Sequence, residues 1–135
     1  MLGVSLAVIV AAYAAVTTFE WYETFTWVDI PLHFAGGAWV GALFFALFGN
    51  VFGGAAATHT CERTKVLVLA VSLAALVGVG WEIFEYCVST WTGIYMQPSI
   101  ADTMGDFVMD IGGALTIGFW FLYIRRPRTS EMPER

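Results

Sequence analysis

The sequence predicts an all-α fold: a polytopic membrane protein with four transmembrane helices in a bundle. Three observations carry that prediction. Hydrophobic residues fill 59% of the 135 positions and charged ones only 13%, with a mean hydropathy of +0.73, whereas about a quarter of an ordinary soluble domain is charged. Four apolar stretches, at residues 2–19, 30–52, 66–88 and 106–124, each approach the ~20 helical residues that a bilayer core of about 30 Å requires. All six Lys and Arg residues fall within 63–65 and 125–135, two regions that four serial crossings bring to one side.

The first stretch carries no charge, and no Lys or Arg precedes it, so it reads as a retained helix and not as a cleaved signal peptide. Gly49 and the pair Gly53 and Gly54 mark the end of the second stretch and a turn. Arg63 and Lys65 lie in the following loop, and Arg125, Arg126, Arg128 and Arg135 follow the fourth stretch. The positive-inside bias therefore places both termini and the middle loop in the cytoplasm of a plasma (inner) membrane protein. Aromatic residues mark the interfaces: Trp21, Tyr22, Trp27, Trp91 and Tyr95 at the outer ends, Trp120 and Tyr123 near the terminal arginines. Residues 1–126 form one four-helix domain and 127–135 a short cytoplasmic tail. Gly37, Gly41, Gly78, Gly113 and Gly118 are expected as packing notches between helices. Cys61 and Cys87 fall on opposite faces of the membrane and are expected to stay unpaired. A net charge of −5 with no basic stripe excludes nucleic acid as a partner. The partners expected are membrane lipid and either further copies of the chain or a larger membrane complex.

Eight of the eleven acidic residues lie in the half predicted to face outward: Glu20, Glu23, Asp29, Glu82, Glu85, Asp102, Asp106 and Asp110. Glu20 and Glu23 sit among interfacial aromatics and read as solvated, while His59 reads as a plain loop residue. The remainder are spaced for shared helix faces. Asp29 and His33 are four apart, Glu82 and Glu85 three apart, and Asp102, Asp106 and Asp110 step by four. Asp29 and Asp102 are also candidate helix caps. An Asp at a helix centre costs about 2.5–3.5 kcal/mol on insertion scales, so several unpaired carboxylates cost on the order of 10 kcal/mol. No Lys or Arg occurs in the outer half to neutralise them. Protonation, a water-filled vestibule and bound cations are the alternatives, and a divalent metal ion suits a set of oxygen ligands with one imidazole. Asp29, His33, Glu85, Asp102 and Asp106 are the candidate ligands, with Glu82 or Asp110 as the candidate catalytic proton acceptor.

The strings Asp29-Ile-Pro-Leu-His33-Phe-Ala-Gly36, Trp81-Glu82-Ile-Phe-Glu85-Tyr86, Asp102-Thr-Met-Gly-Asp106 and Asp110-Ile-Gly-Gly-Ala114 resemble the YjdF-type family of small inner-membrane proteins, and more distantly the VanZ-like proteins. The resemblance spans roughly residues 28–114. It implies the same membrane topology and the same acidic positions, with Asp110 the one where relatives are expected to vary, and it brings no reaction with it. Three functions stay open on the residues: a metal-dependent enzyme acting on lipid-linked or phosphorylated substrates, a proton or cation conductor along the carboxylates, and a structural or accessory subunit whose metal locks the helices. A nucleotide-binding loop and a nucleophile elbow are both lacking.

Overall fold

The computed structural model describes residues 2–19, 21, 25, 27–52, 60–94, 96, 97 and 99–124, without the side chains of residues 50 and 52. The expectations for Glu20, Glu23, Tyr22, Tyr95, His59, the turn at Gly53 and Gly54, the terminal arginines and the tail 127–135 lie outside these residues.

Among the described residues four helices form the bundle: α1 (Leu2–Thr18), α2 (Asp29–Phe52), α3 (Thr60–Thr92) and α4 (Ile100–Phe119). A π-helical turn, Trp120–Ile124, continues α4. Three of them are long and apolar enough to cross a membrane, and α1 is a shorter apolar helix of 17 residues. Helix is the expected outcome for such segments, because lipid offers no partner for a backbone N–H or C=O. The side-chain distribution is that of a soluble protein turned inside out. Val8, Leu47, Leu76, Ile83 and Val108 are exposed, while Asp29, His33, Glu82, Glu85, Asp106 and Asp110 are all buried.

Several element boundaries differ from the sequence expectation. α3 starts six residues before the apolar run, so Arg63 and Lys65 belong to its first turns and not to a loop. Its polar start is held by an exposed Lys65–Glu62 ion pair of 2.8 Å. Gly49 lies inside α2, which runs on to Phe52, and does not end it. Gly93 ends α3, with a φ of 73° that suits a glycine after the last helical turn and an N–H that donates to Ser89 O at 3.1 Å. α4 begins at Ile100, where the Ser99 hydroxyl accepts from the Asp102 N–H at 3.2 Å. Ser99 is therefore the N-cap, and Asp102 stands in the first turn instead of capping it.

The bundle is layered from end to end. At the Arg63 end, Phe44, Phe45, Val66, Ala70 and Leu122 form an apolar cluster, and Arg63 sits over the Tyr123 ring at 5.6 Å, placing the start of α3 beside the end of α4. In the middle, Val40, Ala74 and Ala114 meet. The glycines there act as the expected notches. A Cβ on Gly37 would strike the Asp110 backbone, one on Gly113 the Phe34 carbonyl and the Ala38 N at 2.6 Å, and one on Gly41 would lie 3.3 Å from Ala114 Cα. α2 and α4 thus pack backbone to backbone, the contact that favours association where apolar burial gives no driving force. The third layer, at the opposite end from Arg63, is polar. Cys61 and Cys87 are both free, 26 residues apart on α3 and so about 39 Å distant.

Candidate metal centre

Three helices deliver the polar layer. The first two turns of α2 contribute Asp29 and His33, with Pro31 in the first turn, where its missing N–H costs nothing. The third-last and second-last turns of α3 contribute Glu82 and Glu85, and α4 contributes Asp102, Asp106 and Asp110 at four-residue steps down one face.

His33 stands at the centre. Its Nε2 lies 3.6 Å from Asp29 Oδ1, 3.8 Å from Asp106 Oδ1 and 3.9 Å from Glu82 Oε1, distances beyond a hydrogen bond. Its other ring nitrogen, Nδ1, lies 3.4 Å from Asp110 Oδ2. Asp110 has room for this because two glycines flank it: its carboxylate occupies the place a Gly78 Cβ would take, and its Oδ1 is 3.9 Å from the Cβ position of Gly36. Donor atoms of Asp29, His33 and Asp106 lie within 4.8 Å of one another, and so do those of His33, Glu82 and Glu85. Asp102 belongs to neither set. It is half-buried one turn above Asp106 at the mouth of the layer.

The surrounding hydrogen bonds orient the acids. Tyr13 Oη donates to Glu85 Oε1 at 3.2 Å and Trp81 Nε1 donates to the same oxygen at 3.0 Å. Gln97 Nε2 donates to Glu82 Oε2 at 2.8 Å and reaches Thr103 Oγ1 at 2.8 Å, while Met96 N donates to Ser89 Oγ at 3.1 Å and folds the α3–α4 connection back over the site. The second oxygen of Glu82, Oε1, is buried and without a hydrogen-bond partner among the described residues. Glu82 is only 5% exposed, so that oxygen is denied water as well, a cost of order 1–3 kcal/mol or more for a charged group.

Sequence reasoning missed Tyr13, Trp81 and Gln97. A tyrosine in an otherwise apolar helix was the one available signal, since a buried phenol needs a partner. Gln97 sits in a connection with nothing local to single it out.

Six acidic groups and an imidazole face one another here, and no Lys or Arg occurs within residues 1–62 or 66–124. The donor set is hard oxygen plus one nitrogen, with both cysteines elsewhere, which is chemistry able to hold a divalent cation. No curated protein and no solved structure matches the chain. A family model matches residues 1–127, takes in every helix described above and every acid of the polar layer, and agrees with the YjdF-type resemblance: the chain belongs to the family described as predicted membrane protein DUF2238.

Proposed function

We propose that this protein binds one divalent metal ion at the outer end of its bundle, through Asp29, His33, Glu82 and Asp106, with Glu85 adjacent. The observation that carries the reading is the pairing of an unpartnered, buried Glu82 Oε1 with an imidazole Nε2 that faces three carboxylate oxygens at 3.6–3.9 Å. Ligand atoms on a four-coordinate ion, each about 2.0–2.2 Å from the metal, are about 3.4 Å apart. The three oxygens stand a few tenths of an ångström too far from Nε2 for that spacing. Asp29 and Asp106 form one donor set with His33, and Glu82 forms another with His33 and Glu85, so one ion holding all four draws Glu82 of α3 toward α2 and α4. Asp110 then takes the part of the carboxylate that accepts from the far ring nitrogen of a metal-bound histidine, fixing its tautomer and orientation. Asp102, at the mouth, is the outermost acid on the cation's way in. The ion ties α2, α3 and α4 together and offsets the repulsion among their acids.

A second reading, a metal-dependent enzyme acting on a lipid-linked substrate in the plasma membrane, is favoured by one feature: an apolar cavity of about 260 Å³ reaches Asp29, His33 and Asp110 from among the helices. An ion there polarises an ester or phosphoryl oxygen or activates water. Elemental analysis of the detergent-purified protein tests the first reading, with one equivalent of metal expected in the wild type and a large loss in Glu82→Gln. Cobalt substitution tests the second: a visible spectrum that changes on adding azide marks an open coordination position, and an unresponsive spectrum leaves the ion as a clasp alone.

A further inference from the structure

The cavity beside the metal centre has a polarity gradient along its length. It lies between α1, α2 and α3, and its walls are Ile9 and Val10 of α1, Leu32 and Val40 of α2, and Val77 of α3, with Asp29 and His33 at one end. From Asp29 to Val40 it follows α2 for eleven residues, about 16 Å. Two polar clasps hold α1 over it. Trp39 Nε1 donates to Leu2 O at 2.9 Å near the apolar end. Near the polar end Tyr13 donates to Glu85, its ring edge-on to Trp81 at 4.8 Å between centroids.

The shape selects the occupant. A helix of a second copy, about 10–12 Å across with its side chains, is too wide for 260 Å³, and an apolar wall of this kind does not hold water. A hydrocarbon chain fits. Its polar head must then lie against the acidic layer, and its direction, from the site end toward the middle of the bundle, is that of a lipid chain descending from its headgroup. Charge selects the head. Asp29, Glu82, Glu85, Asp102, Asp106 and Asp110 outnumber the two positive charges of one divalent ion, and no Lys or Arg is near, so an anionic head is repelled and an ammonium is attracted.

We propose that the cavity binds one acyl chain of an ethanolamine phospholipid, with its ammonium held by the carboxylates at the outer end. The proposal extends the lipid-linked reading of the same site and rests on its carboxylates, not on its ion. Native mass spectrometry of the delipidated, detergent-solubilised protein, titrated with a phosphatidylethanolamine or a phosphatidylglycerol of the same acyl chains, tests it. One retained ethanolamine lipid is expected, with roughly tenfold weaker retention of the glycerol lipid, the factor that about 1.4 kcal/mol of charge preference gives. Val77→Trp, which fills the cavity from a half-exposed wall position, is expected to lose the adduct while keeping its metal. Leu6→Trp fills it from α1 and replaces the first variant should that one fail to fold. Glu82→Gln is expected to lose metal and keep the lipid, because Glu82 does not line the cavity while Asp29 and Asp110 do, and the carboxylates that remain still outnumber the positive charges once the ion is gone. Equal retention of the two lipids, or an adduct that survives in the folded cavity-filled variant, overturns the proposal. Absence of metal in the wild type overturns the metal reading and leaves the lipid result standing.

Discussion

His33 Nδ1 lies 3.4 Å from Asp110 Oδ2, with both side chains buried, and this contact between α2 and α4 directs the opposite ring nitrogen at Asp29, Glu82 and Asp106. The pairing assigns Asp110 an orienting task. Asp110→Asn keeps an acceptor for the ring N–H and is expected to weaken metal binding about 10-fold, whereas Asp110→Ala removes it and is expected to weaken binding up to about 100-fold. Competition against a fluorescent chelator measures both, and equal affinities for the two variants and the wild type would remove Asp110 from the site.

Removing the ion is expected to loosen the bundle. A cation that binds the folded state alone stabilises it by mass action, by about 2.7 kcal/mol at a free concentration 100 times Kd. Chelation at neutral pH should therefore lower the melting temperature in detergent, and re-addition of metal should restore it. Glu85→Gln should show a smaller chelator-induced drop than the wild type. A melting curve indifferent to chelator, in a protein without stoichiometric metal, points instead to protonated acids.

His33→Ala and Asp106→Asn each delete a ligand without adding a charge that lipid rejects, and the apolar spans that direct insertion are untouched. Both variants should accumulate in the membrane at normal levels and lose metal per folded molecule. Normal metal content in both would contradict the proposed ligand set.

The glycine seam gives a prediction about stability alone. Gly113→Ala pushes a methyl group into the Phe34 carbonyl and Ala38 N and should cost about 1–3 kcal/mol. Gly105, on the same helix with nothing within 4 Å of its Cβ position, should accept Ala with no loss and a gain of up to roughly 1 kcal/mol. Thermal unfolding of the two variants side by side gives the comparison.

Both termini are expected on the cytoplasmic side, because all six basic residues map to regions that four crossings place together. A reporter fused after Arg135 should behave as cytoplasmic, and labelling of that fusion by an external, membrane-impermeant reagent would reverse the orientation.

The helical spans and the set of facing acids were legible in the sequence because both rest on periodicity. Asp29 and His33, or Glu82 and Glu85, share a face in any helix. Hydropathy, by contrast, reports where lipid is and not where a helix ends. That is why α3 outran its apolar run at both ends, and why Ser99, three residues before an acid, outperformed Asp102 as a cap. Which oxygen of Glu82 or Asp110 meets which ring nitrogen of His33 is decided between helices, across separations of 49 and 77 positions in sequence. No local pattern encodes that, nor the reach of Gln97 and Tyr13 into the layer.

The seam between Gly37 and Gly113 has a mechanical consequence. With two backbones in direct contact, α2 and α4 behave as a fixed jaw that carries Asp29, His33, Asp106 and Asp110 together. Glu82 and Glu85 ride on α3, which meets that pair through side chains, Asp110 against Gly78 among them. Any parting of α3 from the pair at this level has to break the Gln97 link between Glu82 and Thr103.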